Sequence, residues 1–263
     1  MKKTVAACLL AAALSGPVMA AEPAKLWETS GFANPESVLW DASKKAIYVS
    51  NVNGAPPDKD GNGYISKLNP EGKVVVEKWV TGLDAPKGMA LFKGRLYVSD
   101  IDRLVVIDTA SGKVTKTYPA AGAKFLNDVT VDDKGTVYVS DMLDNVIWAL
   151  SGGKFDKWLA DAQLENPNGL KAESGRLLVA SWGPMTGNGF ATSKPGALKA
   201  VSLPDKMIRD LTPGFGNLDG LEPDGKGGYV VSDWVKGGVF SVTRQGKVSK
   251  LLTLGQGSAD IGT

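Results

Sequence analysis

The fold is decided by the stretch Ala46–Asn51 (AIYVSN), which returns in similar form four more times along the chain. Each copy is a short run rich in β-branched and aromatic residues, and each reaches a serine at or next to its end. Runs of this composition and length predict β-strands. The four other copies are Arg95–Asp100 (RLYVSD), 136–141 (TVYVSD), Arg176–Ser181 (RLLVAS) and 228–233 (GYVVSD).

A second repeated feature, a polar anchor residue beside proline, leucine or alanine, lies 13 to 15 residues before each of these ends. A sixth anchor follows the last copy, and the anchors are separated by 51, 40, 41, 51 and 41 residues. A period near 40 that contains several short strands is typical of propeller blades rather than of helical repeats. The anchors are Glu36, Lys87, Asn127, Asn168, Asp219 and Asp260.

Two more apolar runs follow each repeated stretch, for example 104–107 and 114–118, so each repeat contains four strands. Six anchors therefore predict an all-β, six-bladed propeller. Only three residues follow Asp260, so we expect the sixth blade to be incomplete at the C-terminus. Residues 24–29 resemble a fourth strand, and we expect them to supply the outer strand of that blade. A five-bladed ring is the alternative.

The N-terminus has the pattern of a secretory signal: Lys2 and Lys3, an apolar run over 5–14, and small residues near position 20. We expect residues 1–21 to be a signal peptide and 22–263 to form a single propeller domain. Cys8, the one cysteine, would leave with the signal. The prediction is a periplasmic or secreted protein without disulfides.

Charge and histidine content exclude several classes of function. The chain has 30 basic and 28 acidic residues, and without Lys2 and Lys3 the two signs balance. No basic patch predicts a nucleic-acid partner, and no later segment is long and apolar enough to predict a membrane span. The sequence contains no histidine. Catalytic triads that need imidazole are therefore excluded, which leaves carboxylates, lysine, tyrosine or metal-bound water.

The anchors are the candidate site, because the innermost strands of a propeller start at one mouth of the central channel. Glu36, Asn127, Asn168 and Asp219 would place oxygen atoms there, a donor set that suits Ca²⁺. Each anchor is also an ordinary turn residue, so backbone geometry is the alternative explanation for any one of them. Lys87 could stabilise developing negative charge or be a solvated lysine. The Ser-Asp ends are expected to hold backbone.

Four motifs resemble the SMP-30/gluconolactonase/luciferin-regenerating-enzyme-like six-bladed propellers: 35–37 (PES), 126–128 (LND), 167–170 (PNGL) and 218–220 (LDG). The resemblance implies that Glu36, Asn168 and Asp219 are metal ligands, and that Asn127 contacts both substrate and metal. The chain departs from the family pattern at Phe125, where lactonases often carry arginine, and at Val129, where glycine is frequent. These departures weaken the expectation of a sugar lactone.

The resemblance implies hydrolysis of a lactone or related ester of a small-molecule substrate at a divalent-metal centre. Asp219 would take the proton from water, and Lys87 would assist catalysis and contact the substrate. An exported propeller that binds a protein, peptide or small molecule without turnover is the alternative. Substrate, oligomeric state and choice of ion are not predicted.

Two long loops, 52–63 and 182–195, connect second to third strands and account for the two 51-residue intervals. In a six-bladed ring they would face one another as lids, with Trp182, Met185 and Phe190 as a possible apolar wall. Residues 58–66 resemble the start of an EF-hand loop, but position twelve is Asn69 instead of glutamate. A compact turn without calcium is favoured there.

Overall fold

The computed structural model describes residues 23–262, which form five four-stranded antiparallel sheets. The expected signal peptide, residues 1–21 with Cys8, lies outside the described residues. Each sheet runs from an inner to an outer strand in chain order, and the inner strands of successive sheets lie next to one another. The architecture is therefore a β-propeller, as the repeats predict.

The first three blades follow one another with short connections. Blade 1 contains β1 (Pro35–Asp41), β2 (Ala46–Asn51), β3 (Gly63–Leu68) and β4 (Val74–Leu83). Blade 2 contains β5 (Pro86–Phe92), β6 (Arg95–Asp100), β7 (Arg103–Asp108) and β8 (Lys113–Pro119). Blade 3 contains β9 (Leu126–Val131), β10 (Val137–Asp141), β11 (Val146–Ser151) and β12 (Lys154–Ala160).

A turn of 3₁₀ helix at Ala162–Leu164 leads into the remaining two blades. Blade 4 contains β13 (Pro167–Glu173), β14 (Arg176–Ser181), β15 (Leu198–Ser202) and β16 (Ile208–Asp210). Blade 5 contains β17 (Leu218–Pro223), β18 (Tyr229–Asp233), β19 (Gly238–Val242) and β20 (Val248–Thr253). The repeated stretches are thus the second strands of the blades, as predicted.

The hydrophobic core lies between neighbouring blades. Tyr48 and Ile65 of blade 1, for example, belong to one cluster with Val98 and Ile107 of blade 2. Both faces of a second strand are therefore covered, and every residue of β2 is buried. This double burial explains why the second strands read as continuous apolar runs, whereas outer strands such as β8 are mostly exposed.

The prediction of six blades is wrong, because residues 23–262 form five sheets. The sixth anchor does lie in the ring, but it has no sheet of its own. Residues 259–262 pass between β17 and β1 without forming a strand: the Asp260 amide donates to the Glu36 carbonyl oxygen at 3.1 Å. On the other side, the Ser232 hydroxyl donates to the Ala259 carbonyl oxygen at 2.8 Å.

The expected role of residues 24–29 as an outer strand is also wrong. No strand is assigned to these residues, and no sixth sheet offers them an edge within the described chain. They lie instead against the turn between β3 and β4. The Thr29 hydroxyl donates to the Gly72 carbonyl oxygen at 2.6 Å, and the Trp27 ring covers Gly72, where a Cβ atom would collide with it.

Across residues 23–262, no helix reaches the length and apolar character that crossing a bilayer requires.

Candidate active site

The second residue of every inner strand lies in a β-bulge. In each blade the pairing of first and second strands shifts register at this point, for example between Pro35 and Val38 in blade 1. A bulge bends the strand and re-aims the side chain of the extra residue. The five residues in this position are the first five anchors: Glu36, Lys87, Asn127, Asn168 and Asp219.

The repeated serines hold the bulges of blades 1, 3 and 5. The Ser50 hydroxyl accepts a hydrogen bond from the Ser37 amide at 2.9 Å, and Ser140 accepts one from the Asp128 amide at the same distance. Because a bulge leaves backbone groups without a ladder partner, a buried hydroxyl nearby removes the cost of leaving them unpaired. In these three blades the serine belongs to the motif for this structural reason, whereas Ser181 of blade 4 donates to the Leu164 carbonyl oxygen at 2.7 Å.

The acidic residues that follow these serines hold the loops that enter the inner strands. The Asp100 carboxylate accepts hydrogen bonds from the amides of Asp84 and Ala85, at 3.0 and 2.8 Å to Oδ1. Asp141 does the same for Lys124 and Phe125. The expectation that the Ser-Asp ends hold backbone is confirmed for Asp100 and Asp141.

Glycine after three of the anchors allows the inner strands to approach closely. A Cβ atom on Gly169 would lie 1.9 Å from the Asp219 carbonyl oxygen, and one on Gly88 would lie 2.4 Å from Oδ1 of Asp128. Neither glycine has a positive φ, so the requirement is space rather than backbone conformation. The Lys-Gly, Asn-Gly and Asp-Gly pairs are therefore needed for the narrow ring.

The first five anchors line one cavity of about 340 Å³. Its volume is within the range of small-molecule sites. Sequence reasoning placed these five residues at one mouth of the channel, and the structure brings all of them together. The other lining residues are apolar: Val52, Pro56, Phe125, Met142, Trp182, Phe190 and Trp234.

Several oxygen atoms in this cavity have no hydrogen-bond partner. Oε2 of Glu36 and Oδ1 of Asn168 are buried, and no donor within the described chain reaches them. The amide nitrogen of Asn168 donates to the Leu218 carbonyl oxygen at 3.3 Å, and that of Asn127 lies 3.7 Å from the Met142 sulfur. Unpartnered buried oxygens are costly, which points to a ligand for them.

Both carboxylates of the cavity have a pKa that folding raises. Burial raises the pKa of Asp219 to about 8, with the nearby Asp260 adding to the effect and a hydrogen bond from Asn168 opposing it. Burial also raises the pKa of Glu36 well above its usual range, as do the charges of Asp219 and Asp260. Like charges in a desolvated site favour a cation between them.

Lys87 is the basic residue of the cavity lining. Its side chain is buried, and its ammonium group donates to the carbonyl oxygens of Ala85 and Pro56 at 3.0 and 3.2 Å. The same nitrogen lies 4.4 Å from the centre of the Phe125 ring. Burial lowers the pKa of Lys87 to about 8, against the opposing charges of Glu36 and Asp100. One N–H remains for a substrate.

The donor chemistry fits a hard cation. Two carboxylates and two amides supply oxygen ligands with two negative charges, the type of set that Ca²⁺ prefers. Within residues 23–262, no group of three or more His, Cys, Asp or Glu side chains has the arrangement of a metal centre. A cation at this site would therefore depend on the amide oxygens of Asn127 and Asn168 as much as on the carboxylates.

A narrower cavity of about 160 Å³ is also lined by inner-strand residues, and three acids line it: Asp128, Glu222 and Asp260. The Asp128 carboxylate accepts hydrogen bonds from the amides of Leu170 and Val129, at 2.6 and 2.7 Å, and so joins blades 3 and 4. Asp260 lines the same space. Glu222 pairs with Lys171 at 2.5 Å, so all three acids have structural partners, which explains their position without a catalytic role.

Sequence reasoning missed several lining residues, although a signal was present. The residue directly after each second-strand motif is apolar in all five repeats, and four of these residues line the anchor cavity. They form a column in register with the anchors. The five are Val52, Ile101, Met142, Trp182 and Trp234.

The two long loops border the anchor cavity, as expected from their position. Residues 52–62 contribute Val52 and Pro56, and residues 182–197 contribute Trp182 and Phe190. Met185 packs near Trp182 but is not part of the lining. With five blades, however, blades 1 and 4 are separated by blade 5 alone on one side, so the predicted direct opposition of the loops is wrong.

The EF-hand-like segment in the first loop is held by its own polar groups. The Asp60 carboxylate accepts hydrogen bonds from the amide and side chain of Asn62, at 3.1 and 2.6 Å. The Gly61 amide donates to Asp84 at 3.1 Å. These contacts are those of a compact turn, the form that the sequence favours.

No protein-family model and no curated protein matches this sequence. Solved structures with a similar fold include a gluconolactonase from Xanthomonas campestris, with a TM-score of 0.67 and 16% identity, covering 87% of this chain and 79% of that chain. Virginiamycin B lyase from Staphylococcus aureus has a TM-score of 0.59 and 12% identity, and the match covers 82% of this chain and 69% of that chain. A chain of the nidogen/laminin complex has a TM-score of 0.60 and 16% identity, and the match covers 80% of this chain and 75% of that chain. At these identities the similarity shows the fold alone.

Proposed function

We propose that this chain hydrolyses a lactone or related carboxylic ester in the anchor cavity, with the help of a divalent cation. The observation that carries the proposal is the meeting of five anchor residues from five blades in one cavity, with unpartnered oxygens on Glu36 and Asn168. The motif resemblance to the SMP-30/gluconolactonase/luciferin-regenerating-enzyme-like family supports it. The gluconolactonase among the similar structures supports it further.

Glu36, Asn127, Asn168 and Asp219 would hold the cation, and Ca²⁺ is the ion that suits their oxygen atoms. When bound, such a cation polarises a carbonyl oxygen and lowers the pKa of water. The rigid inner strands fix the four side chains before the ligand arrives, because each is held in a bulge.

Asp219 and Lys87 are the proposed catalytic residues. A carboxylate oxygen of Asp219 would accept the proton of the attacking water, since a buried carboxylate with a raised pKa is a stronger base than an exposed one. The Lys87 ammonium, fixed by the carbonyls of Ala85 and Pro56, would donate its remaining N–H to the oxygen on which negative charge develops. Lys87 and Asn127 would also position the substrate.

Export to the periplasm or the medium is part of the proposal, on the basis of the signal-like pattern in residues 1–21. A small molecule is the proposed partner.

The second candidate is a propeller that binds a protein, peptide or small molecule without turnover. The similarity to a chain of the nidogen/laminin complex favours it, because that structure is one of a binding assembly. The two candidates differ in one requirement: hydrolysis depends on the anchor oxygens, whereas binding at the mouth needs only a shaped surface.

Calcium titration calorimetry on the purified protein, followed by a screen of lactones and aryl esters, tests the proposal. The variants are Asp219→Asn and Asn168→Ala, with Asp133→Asn on an exposed turn as the matched control. The expected result is calcium binding and calcium-dependent hydrolysis in the wild type and the control, with both lost in the two cavity variants. A folded wild type that binds no divalent ion would refute the hydrolase and favour the binding propeller.

A further inference from the structure

The anchor cavity has one wall of aromatic rings. Trp182 lies 6.0 Å from Trp234 and 6.0 Å from Phe190 between ring centres, and Phe190 lies 6.3 Å from Phe125. The four rings come from blades 3, 4 and 5 and from the loop 182–197. Together with Met142 they place a continuous apolar surface beside the anchor oxygens.

Two of the aromatic side chains already have polar contacts within the protein. The indole nitrogen of Trp182 donates to the Phe190 carbonyl oxygen at 2.9 Å, which fixes the loop over the cavity. The face of the Phe125 ring receives the Lys87 ammonium. Apart from the indole N–H of Trp234, what these side chains leave for a ligand is hydrocarbon surface.

The lining offers few hydrogen-bonding groups beyond the proposed metal ligands. Lys87 and the four oxygen-bearing anchors are its charged and amide residues, and no Ser, Thr, Tyr, Gln or Arg of residues 23–262 belongs to it. A polyhydroxylated lactone would therefore bring hydroxyl groups into a site without partners for them. The free energy lost by burying a hydroxyl without a hydrogen-bond partner is much larger than the free energy gained from its added contact area.

We propose that the substrate of this site is an apolar lactone or ester, with an alkyl or aromatic group that packs against Phe125, Trp182, Phe190 and Trp234. This inference rests on the proposed hydrolase function. The reaction is unchanged: the oxygen of water bonds to the carbonyl carbon while Asp219 takes its proton, the ring C–O bond breaks with its electron pair on the ring oxygen, that oxygen receives the proton, and a hydroxy acid leaves. The aromatic wall decides which lactones enter.

Phe190 is the residue best suited to test this inference. Its side chain is 51% exposed, on a loop rather than in a blade, so truncation removes cavity wall without opening the core. Met207 is a matched control, because it is an exposed apolar residue of the same blade that does not line the anchor cavity.

The experiment compares the kcat/KM values of δ-valerolactone, δ-octalactone, δ-decalactone and glucono-δ-lactone in the calcium-loaded enzyme. Each additional CH₂ that is fully buried is expected to raise kcat/KM by up to about fourfold. Glucono-δ-lactone is expected to fall roughly 100-fold or more below δ-decalactone. Phe190→Ala should reduce the ratio of δ-decalactone to δ-valerolactone about tenfold, whereas Met207→Ala should preserve it.

Calorimetry with non-hydrolysable lactams separates this inference from the hydrolase proposal. The probes are piperidin-2-one and its 6-pentyl derivative. If no lactone is hydrolysed but the pentyl lactam binds more tightly, and Phe190→Ala removes the difference, the hydrolase fails and apolar recognition stands. If glucono-δ-lactone is hydrolysed as well as δ-decalactone, the hydrolase stands and the apolar substrate class is overturned. Equal binding of the two lactams also overturns it.

Discussion

The Ser37 hydroxyl donates a 2.5 Å hydrogen bond to Oδ2 of Asp260, a residue 223 positions away in the chain. This bond joins the first inner strand to the segment that passes between blades 5 and 1. The Asp260 amide completes the contact by donating to the Glu36 carbonyl oxygen at 3.1 Å. These contacts therefore connect the segment between blades 5 and 1, where the ring closes, directly to the strand that carries the anchor Glu36.

Ser37→Ala is expected to lower the free energy of unfolding by about 1–3 kcal/mol, because it removes a donor from a carboxylate that burial has desolvated. Urea denaturation of the calcium-free protein measures the change. Ser174→Ala, at an exposed turn between β13 and β14, is the control and should change stability by less than about 0.5 kcal/mol. Equal effects of both substitutions would mean that the Ser37–Asp260 hydrogen bond adds nothing to the free energy of unfolding.

Gly169→Ala is expected to destabilise the protein by about 1–3 kcal/mol or more, because the new methyl group would lie 1.9 Å from the Asp219 carbonyl oxygen. The contacted atom is backbone, so it cannot rotate away. Thermal unfolding followed by circular dichroism measures the effect. Gly255→Ala is the control, since no atom lies within 4 Å of its added Cβ. Similar melting temperatures for the two variants would contradict the close approach of inner strands.

Much of the fold follows from the sequence because the same local solution is repeated. The serine that holds the bulge and the acid that holds the entering loop are the visible parts of one structural unit. Their repetition predicts the second strands, and the anchors before them predict the inner strands. The first five anchors also fall in the anchor cavity, since equivalent positions of a propeller meet around one axis, whereas Asp260 lines the narrower cavity.

The number of blades could not be predicted from the sequence, because an anchor marks a position around the channel and not a complete sheet. Asp260 has the spacing of an anchor and lies in the ring, but residues 259–262 form no strand. The aromatic wall is a mixed case. Trp182 and Phe190 were expected in an apolar wall from their place in the long loop, whereas Trp234 was missed, although it lies directly after a second strand as Trp182 does.

Glu165→Gln is expected to reduce stability at neutral pH by about 0.5–1 kcal/mol. Burial by itself would raise the pKa of Glu165, but hydrogen bonds and charges from Lys194 and Lys199 lower it below its usual value. A carboxyl whose pKa is lowered by folding adds stability above its unfolded pKa and loses it as the pH falls through the folded pKa.

The difference between wild type and Glu165→Gln should therefore vanish on acidification below the normal range of glutamate, and urea unfolding between pH 7 and pH 3 measures it. Glu71→Gln, on the exposed turn between β3 and β4, is the control. A difference that grows at low pH would show that the Lys194–Glu165 and Lys199–Glu165 pairs, at 2.6 and 3.0 Å, do not stabilise the fold.

Calcium is expected to raise the melting temperature, because a cation between Glu36 and Asp219 offsets the cost of burying two carboxylates whose pKa values are raised first by burial and then by neighbouring acids. At 100 times its dissociation constant, a ligand adds about 2.7 kcal/mol to stability. Asp219→Asn should remove this response and, without calcium, melt no lower than the wild type, since it removes a buried acid whose ionised form is disfavoured. Thermal scans of both proteins with and without calcium measure these melting temperatures. A calcium response that survives in Asp219→Asn would place the ion elsewhere.

Lys87→Met is expected to reduce kcat about 100-fold, the effect of removing one donor to a developing oxyanion. Calcium binding should be unchanged or tighter, because the substitution removes a positive charge that faces Glu36. This combination separates a catalytic lysine from a structural one, which would change stability and calcium affinity rather than kcat.

The control for this prediction is Lys171→Met, which removes a lysine that pairs with Glu222 at 2.5 Å and lines the narrower cavity. Its kcat should remain within about threefold of wild type, because it does not line the anchor cavity. If Lys87→Met instead kept its kcat and lost only thermal stability, the ammonium would be a support for the carbonyls of Ala85 and Pro56. In that case Asp219 and the cation alone would have to account for any hydrolysis.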